Sequence, residues 1–307
     1  MQRWEKLGLV FCPAGQRPWL SGWAAVPFLD WIDEHRCHVY FSSRDEQNRS
    51  VTGRIALDLR HPFDSVDLDL QPVLEPGPPG SFDADGAMGT ELLRIGDRRH
   101  LYYIGWNRAH VVPFRNAVGL ATSDHGDRFT RFAPGPVLDR SVHDPCFVAS
   151  NCVRPWSGGY RMWYLSCQRW EQLSDGSWRH HYNIAVADSP DGVSWNPTGR
   201  TAIDFAHDGE YAISVPRVLS TPDGHRMWYS YRGGPFGSTY RIGYAESADG
   251  ETWDRLDRSV DLAPGDDGWD AEMVCYPYVF AYDGRLLMFY NGNGYGRTGF
   301  GLAVLDE

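Results

Sequence analysis

The chain has 307 residues, of which 42% are hydrophobic and 14% aromatic, and it carries a formal net charge of −11. This acidity argues against a nucleic-acid partner, because binding to phosphates needs a basic surface. We also expect no membrane association, since no apolar segment approaches the roughly 20 residues that cross a bilayer. The first 15 residues, MQRWEKLGLVFCPAG, lack a signal-peptide core. Together with six cysteines that follow no disulfide or metal-site spacing, this predicts a cytoplasmic protein.

Short aromatic segments recur along the chain at a nearly constant step. In chain order they are HVYFSS, HLYYIG, RMWYLS, RMWYSY and LMFYNG, which align Phe41, Tyr103, Tyr164, Tyr229 and Tyr290 at steps of 61 to 65 residues. A second set of landmarks lies upstream at nearly the same steps: Pro27, Thr90, Asn151, Pro216 and Pro277. Two independent sets with a common period indicate a repeated structural unit.

Each unit contains four short β-type segments, of which the fourth resembles PVLEPG or PVLDRS. Four antiparallel strands per unit are typical of a β-propeller blade. The last unit ends at its third strand, GLAVLDE, and the segment from Leu7 to Gly15 reads as the strand that it lacks. We therefore predict an all-β fold, a five-bladed β-propeller with four antiparallel strands per blade, closed by the N-terminal strand and formed as a single domain by residues 1–307. Met162, Trp163, Met227 and Trp228 are expected in the core.

The predicted strand directions divide the loops between two faces. Stereotyped Ser-Asp-Gly turns, as in ATSDHG, ADSPDG and AESADG, occupy one face. The other face carries irregular loops rich in Arg, Asn, His, Gly and aromatic residues, namely SSRDEQNRS, GWNRAHVVPFRN, SCQRWEQLSDGSWRHHYN, YRGGPFGSTY and NGNGYGRT. Functional residues concentrate on variable loops held by a rigid scaffold, so the site is expected on this second face.

Four carboxylates precede the first strands of four units, at Asp85, Asp144, Glu210 and Glu272. Like charges that converge on one axis split their pKa values, which allows one acid to stay protonated while a neighbour is ionised. Glycoside chemistry needs this division, so all four are predicted catalytic residues, with Glu210 as the favoured general acid. The alternative is that these acids cap turns or pair with arginines.

The repeat architecture, with strings such as YRIGYAESADGETWDR, resembles the five-bladed propeller glycosidases. These comprise arabinanases and xylosidases, invertases and levansucrases, and the mannoside phosphorylases. Further strings resemble propeller proteins associated with surface-polysaccharide gene neighbourhoods: PVLEPG, YYIGWN, VPFRN, MWYLS, GEYAISVP and NGNGYGRTGFGLAVL.

The resemblance implies a second-blade acid at Asp85 or Asp83 and a later acid at Asp144 or Glu210. It fails in the first blade, where LSGWAAVPF offers only Ser21 and Gly22 in place of the usual base or nucleophile. The mannoside phosphorylases use one protein acid and a phosphate nucleophile. Arg44, Arg115 and Arg232 are therefore predicted to hold a phosphate or a carboxylate sugar, the alternative being pairing with Asp45 and the central acids.

The sequence is compatible with three functions. The first is a glycoside-active hydrolase, phosphorylase or transglycosidase, and the second is a lyase-type enzyme modifying a sugar, nucleotide sugar or nucleoside. The third is a carbohydrate-binding propeller without catalysis. The density of proton-transfer groups favours an enzyme. The expected partner is a carbohydrate or sugar-containing small molecule, either neutral or anionic, with no cofactor, no metal and no prediction of oligomeric state. The predicted substrate-binding residues are Arg44, Asp45, Trp106, Asn107, Arg115, His143, His181, Arg232, Tyr240, Tyr276, Asn293 and Tyr295.

Overall fold

The computed structural model describes residues 1–64, 66–124 and 128–306. The fold is 58% strand and 3% helix, which confirms the all-β prediction. No helix in these ranges is long and apolar enough to span a membrane. The strands, in chain order, are β1 (Gln2–Phe11), β2 (Gly22–Trp31), β3 (Arg36–Arg44), β4 (Ser50–Asp58), β5 (Asp67–Leu68), β6 (Gly86–Ile95), β7 (Arg98–Arg108), β8 (Phe114–Ser123), β9 (Thr130–Arg131), β10 (Phe147–Trp156), β11 (Gly159–Gln172), β12 (Trp178–Ser189), β13 (Asn196–Ile203), β14 (Glu210–Thr221), β15 (Gly224–Gly233), β16 (Arg241–Ser247), β17 (Asp254–Arg255), β18 (Val260–Asp261), β19 (Cys275–Tyr282), β20 (Arg285–Asn291) and β21 (Phe300–Leu305). Short helical turns lie at Gly234–Phe236, Asp257–Ser259 and Asn293–Gly296.

The strands pair antiparallel in consecutive sets of four. These sets are β2 to β5, β6 to β9, β10 to β13 and β14 to β17. The fourth strand is only two residues long in three of the sets, at β5, β9 and β17. The prediction that PVLEPG and PVLDRS form fourth strands is wrong, since within them only Leu74 and Leu138 form isolated bridges. Each follows a bend after the short fourth strand and lies back against the third strand of its set.

A further antiparallel set combines the two ends of the chain. Strand β1 pairs with β21, so that Leu9 lies opposite Gly301 and Phe11 opposite Phe300, and β21 continues to β20 and β19. This confirms the prediction that the N-terminal segment supplies the strand that the last unit lacks. The pairing supplies the edge of β21 with a partner, which removes an open strand edge.

The first strand of each set lies innermost and contacts the first strands of its neighbours. The contacts run from β2 to β6, β10, β14 and β19 and back from β19 to β2. Two parallel bridges join neighbouring sets, Ser50 to Gly86 and Tyr182 to Ala212. One end of these inner strands is therefore surrounded by loops from every set.

The aromatic second strands fill the space between neighbouring sets. Met162, Trp163, Met227 and Trp228 are all 0% exposed, which confirms the prediction that they belong to the core. Trp163 packs edge-on against Trp156 and Trp253, and Trp228 against Trp4 of the N-terminal strand. Large ring surfaces removed from water in this way are the main source of the fold's stability.

The Ser-Asp-Gly turns connect third to fourth strands. In ADSPDG, the Ser189 hydroxyl accepts the Gly192 N–H and the Asp191 carboxylate accepts the N–H groups of Val193 and Ser194. Ser247 and Asp249 repeat this arrangement. In ATSDHG, His125 and Gly126 lie outside the described residues. These turns act as scaffold, because their side chains are used to satisfy their own backbone.

Candidate functional site

A cavity of about 750 Å³ opens among the irregular loops. It is lined by Trp23, Ala25, Val26, Ser42, Arg44, Asn48, Met88, Ile104, Phe114, Asn116, Phe147, Ala149, Ser150, Leu165, His180, Tyr182, Ser214, Val215, Arg232, Tyr240, Tyr276, Gly294, Tyr295 and Arg297. The loops SSRDEQNRS, VPFRN, YRGG and NGNGYG all contribute to this lining. The cavity therefore lies on the face where the sequence placed the site.

The floor of the cavity is shaped by bulges in the inner strands. Val26, Val215 and Tyr276 have positive φ values of 53°, 50° and 55°, at breaks in the register of β2, β14 and β19. A side chain of a neighbouring set accepts each backbone N–H: Asn291 for Val26, Ser150 for Val215 and Ser230 for Tyr276. These bonds stabilise a conformation that is unfavourable for branched or bulky residues. The bulges thereby turn Val26, Val215 and Tyr276 into the cavity wall.

Arg232, on β15, lies in the cavity wall and is only 8% exposed. Its Nη1 donates to the Tyr295 hydroxyl at 2.8 Å and its Nη2 to His180 Nε2 at 2.9 Å. The guanidinium also lies over the Tyr240 ring at 4.6 Å. Arginine has no acceptor atom, so His180 must accept through Nε2 and carry its proton on Nδ1.

His180 is held neutral by its surroundings. Burial, and secondarily the positive charge of Arg232, lower the pKa of His180 to about 3. The imidazole stacks on Tyr182 with ring centroids 4.8 Å apart, and it contacts Phe114 and Trp170. His180 therefore adds a polar group to the cavity without a positive charge at neutral pH.

Four tyrosines contribute further polar groups to the wall. Tyr182 and Tyr240 share a short hydrogen bond, and the Tyr295 hydroxyl donates to the Ser238 carbonyl at 2.8 Å. Burial raises the pKa of Tyr182, Tyr276 and Tyr295, while the Arg232 charge opposes this effect. These hydroxyls are neutral at physiological pH, and their rings offer flat surfaces of the kind that stack on sugars.

Two further arginines line the cavity. Arg44 lies over the Trp106 ring at 5.2 Å, and burial lowers its pKa. Trp106 does not line the cavity itself, and its indole N–H donates to Ser50 at 2.8 Å. Arg297 is exposed at the cavity rim. The described lining contains no aspartate or glutamate, so the polar wall consists of cationic and neutral groups.

The prediction that four carboxylates surround the inner end of the pocket is corrected by this lining, since none of the four belongs to it. Asp144 is 0% exposed and accepts hydrogen bonds from the hydroxyls of Ser141, Tyr164 and Ser166. Glu210 is 3% exposed and accepts two bonds from Arg255, at 2.8 and 3.0 Å. Both carboxylates are occupied by the scaffold, which was the alternative interpretation of the sequence.

Asp85 and Glu272 lie nearer the surface. The Asp85 carboxylate accepts the Arg108 backbone N–H at 2.8 Å and lies 3.7 Å from the Arg108 side chain. Glu272 is exposed, and its backbone N–H donates to Asn293 at 2.7 Å. Neither side chain is enclosed, but neither reaches the cavity wall.

A repeated hydrogen bond explains the position of Asp144. Asp83, Asp144 and Asp270 each accept a bond from the hydroxyl of the tyrosine 20 residues later, namely Tyr103, Tyr164 and Tyr290. In the first set, Phe41 and Ser21 stand at these positions, so the hydroxyl and the carboxylate are absent together. The missing first-blade acid thus coincides with the loss of a structural aspartate–tyrosine pair.

The structure divides the predicted binding residues into two groups. Five of them line the cavity: Arg44, Arg232, Tyr240, Tyr276 and Tyr295. The others lie outside this lining: Asp45, Trp106, Asn107, Arg115, His143, His181 and Asn293. Asp45 is paired with Arg49 and Asn293 bonds to the backbone of Glu272. Asn107 donates to the Ser81 carbonyl, whereas Arg115 and His143 are exposed.

Of two adjacent histidines, His180 lines the cavity and the predicted binding residue His181 does not. Its Nε2 lies 2.7 Å from a Glu171 oxygen, and its neighbour His180 faces the cavity instead. His180 and His181 are consecutive residues of β12, so their side chains lie on opposite faces of that strand. The paired strand β11 shifts register between Cys167 and Arg169. The sequence reasoning also missed Trp23, Phe114, Phe147 and Tyr182. Their aromatic type at inner-strand and loop positions was the available signal.

No cluster of three or more His, Cys, Asp or Glu side chains arranged to hold a metal ion occurs in the described ranges. Their six cysteines are free thiols, of which Cys37, Cys152, Cys167 and Cys275 are buried. Burial raises the pKa of these four thiols. They are therefore protonated and pack as small apolar side chains.

Solved structures with this fold include carbohydrate-active enzymes. A glycosyl hydrolase from Bacteroides ovatus matches with a TM-score of 0.74 and 14% identity, over 98% of this chain and 93% of that one. The β-1,2-mannobiose phosphorylase from Listeria innocua, in complex with β-1,2-mannobiose, matches with a TM-score of 0.72 and 13% identity, over 99% and 96% of the two chains. At such identities the likeness shows the fold alone.

No protein-family model matches the chain. Two curated relatives are the uncharacterized proteins Rv1502 and MT1551 of the Mycobacterium tuberculosis strains H37Rv and CDC 1551. Each is 40% identical to this chain over 306 residues, covering 99% of both sequences. The chain therefore belongs to the family of these two mycobacterial proteins.

Proposed function

We propose that residues 1–307 form one domain, a five-bladed ring closed by the N-terminal strand. The cyclic contacts of the inner strands, from β2 through β19 and back to β2, support this closure. The pairing of β1 with β21 supports it independently. A closed ring would hold the loops of all five blades around one cavity. Small shifts of the scaffold would then change the shape of the cavity little. Cytoplasmic localisation stays a prediction.

In this proposal the protein is carbohydrate-active and the cavity takes a sugar. The cavity's volume of about 750 Å³ falls in the range of small-molecule sites, roughly 300–1,000 Å³. Trp23, Phe114, Tyr276 and Tyr295 supply aromatic surface, and the polar groups of the wall supply hydrogen bonds. Apolar faces combined with a few directed polar groups suit a sugar ring, which has an apolar face and an edge of hydroxyls.

The observation that carries the choice of reaction is the lack of carboxylates in the described cavity lining. Glycoside hydrolysis ordinarily uses two carboxyl groups placed about 5–10 Å apart across the scissile bond. The proton-transfer groups of this cavity are instead the hydroxyls of Tyr240 and Tyr295 beside Arg232. The geometry therefore favours a non-hydrolytic, lyase-type modification of a sugar over hydrolysis by paired acids.

Hydrolysis is the second candidate function. The observation in its favour is that Asp85 and Glu272 are not enclosed by the scaffold, unlike Asp144 and Glu210. A substrate that extended beyond the cavity rim would bring a scissile bond toward these two carboxylates. In that case Asp85 and Glu272 would be the pair of catalytic carboxylates.

One set of variants tests the two reactions against each other. The protein is incubated with a panel of oligosaccharides, and products are identified by mass spectrometry, in which hydrolysis adds 18 Da and elimination adds nothing. Asp85→Asn and Glu272→Gln should leave turnover intact, whereas Tyr295→Phe and Tyr240→Phe should lower it by about a hundredfold. Loss of turnover in both carboxylate variants, with activity retained in both tyrosine variants, would establish the second candidate instead. Sugar binding without any product would identify a binding propeller.

A further inference from the structure

The buried arginines of this protein divide into paired and unpaired side chains. Those at most 8% exposed are Arg54, Arg99, Arg161, Arg217 and Arg232. The first four form ion pairs at 2.7 to 3.3 Å, with Asp69, Asp30, Asp188 and Glu91 respectively. Arg232 forms none with any carboxylate of the described residues, although it is as buried as the others. A buried charge is costly unless it is paired, so this exception requires an explanation.

The groups around Arg232 are all neutral. They are the hydroxyls of Tyr295 and Tyr182, the Ser238 carbonyl and the neutral imidazole of His180. The rings of Tyr211, Tyr240 and Tyr295 surround the guanidinium at 4.6 to 5.4 Å. Such contacts hold the guanidinium in one position and solvate it in part, but they do not cancel its positive charge. The buried Nε of Arg232 has no acceptor among the residues that the structure describes.

The rest of the cavity wall does not cancel this charge either. Arg44 and Arg297 also line the cavity, and neither forms an ion pair with a described carboxylate. The described lining has three arginines, no acidic residue and a neutral histidine. The whole chain carries a net charge of −11, so the cavity has the opposite sign to the molecule around it. A cavity that is lined by charges of one sign and has low-dielectric walls concentrates ligands of the opposite charge.

We propose that the sugar bound in this cavity carries an oxyanion, a carboxylate or a phosphate ester, whose counter-charge is Arg232 assisted by Arg44 and Arg297. This rests on the proposed function, because it specifies the sugar that the cavity takes. Arginine suits both anions through charge-assisted hydrogen bonds. A neutral sugar would leave Arg232 buried and unpaired, whereas an anionic sugar would complete the ion pair that the other buried arginines already have.

The test measures binding of four probes by isothermal titration calorimetry: glucuronate, glucose 6-phosphate, glucose and inorganic phosphate. We expect one or both anionic sugars to bind more tightly than glucose and phosphate, with an affinity that falls as sodium chloride is raised. Arg232→Gln should weaken that binding about tenfold to a hundredfold and leave glucose unchanged. The two anionic sugars distinguish a carboxylate from a phosphate ester.

The matched control is Arg285→Gln, which removes the same charge from an exposed position at the start of β20, outside the cavity lining. It should bind the anionic sugar as the natural protein does. Arg297→Gln is the second test variant, since Arg297 is exposed and its replacement does not disturb the core. It should weaken anionic-sugar binding and its salt dependence even if Arg232→Gln does not fold.

Three results would overturn the proposal. Equal affinity for glucose and the anionic sugars, unchanged by Arg232→Gln and Arg297→Gln, would leave a sugar cavity without an anion subsite. Inorganic phosphate binding as tightly as either anionic sugar would mean that the arginines hold a free ion. Absence of binding by all four probes and by the oligosaccharide panel would remove the proposed function as well.

Discussion

Glu210→Gln separates a structural from a catalytic role for the carboxylate that the sequence favoured as general acid. The Glu210 side chain is 1% exposed and accepts from Arg255 Nη1 at 2.8 Å and from Nη2 at 3.0 Å. It also accepts the Ala206 backbone N–H at 2.7 Å. The amide keeps the shape and one acceptor oxygen, but it removes the negative charge and places N–H donors against the guanidinium.

The cost follows from these contacts. Breaking a buried ion pair by neutralising one partner costs about 3–5 kcal/mol. Arg255 retains its pair with Asp257 at 2.5 Å, and the glutamine still accepts one bond, so we expect a cost at or below the lower end of this range, about 2–3 kcal/mol. For a chain of 307 residues the melting temperature should fall by about 3–5 °C.

The assay is thermal unfolding followed by circular dichroism, together with urea unfolding to obtain the free-energy difference. The control is Glu272→Gln, the same chemical change at an exposed carboxylate, which should alter the melting temperature by less than about 1 °C. A Glu210→Gln protein with an unchanged melting temperature and lost turnover would refute the structural interpretation and restore Glu210 as the acid.

Three further expectations concern the scaffold and the cavity. Ser166→Ala removes the hydroxyl that donates to buried Asp144 at 2.6 Å. It should lower the free energy of unfolding, measured in urea, by about 1–3 kcal/mol, and an unchanged value would contradict this. Burial holds the pKa of His180 at about 3, below its unfolded value of about 6.5. Between these two pKa values the unfolded chain binds a proton that the folded chain does not, so the free energy of unfolding should rise with pH. His180→Asn should reduce this pH dependence, and an equal pH dependence in both proteins would refute the argument. Deletion of residues 1–11 removes β1 and exposes the edge of β21, so cooperative unfolding should be lost. A synthetic peptide of residues 1–11 should restore it. A truncated protein that unfolds as cooperatively as the full chain would exclude the ring closure.

Local patterns in the sequence were enough to predict the repeated unit and the pairing of the chain ends. Phe41, Tyr103, Tyr164, Tyr229 and Tyr290 are all 0% exposed, as expected for residues that recur at one position of a repeat. Burial of such side chains depends mainly on strand periodicity, which neighbouring residues determine. For the same reason the loops of the candidate site could be assigned to one face before any contact was known.

The roles of the acids depended on partners distant in the chain. Arg255 lies 45 residues from Glu210, and nothing near GEYAIS indicates that the two meet. Tyr164 is 20 residues from Asp144, and that interval recurs at Asp83 and Asp270, so a comparison of intervals would have identified this pair as scaffold. A carboxylate's chemistry is set by what surrounds it, and those groups come together only when the strands pack.

The sequence by itself determined the period, the aromatic core and the face on which the cavity opens, because each depends on residue type at a repeated local position. Tertiary structure decided that the face of β12 with Tyr182 and His180, and not the face with His181, lines the cavity. It also decided that Arg232, alone among the described buried arginines, meets no carboxylate. A positive charge can be read from one residue, but its counter-charge depends on every chain segment that packs around it.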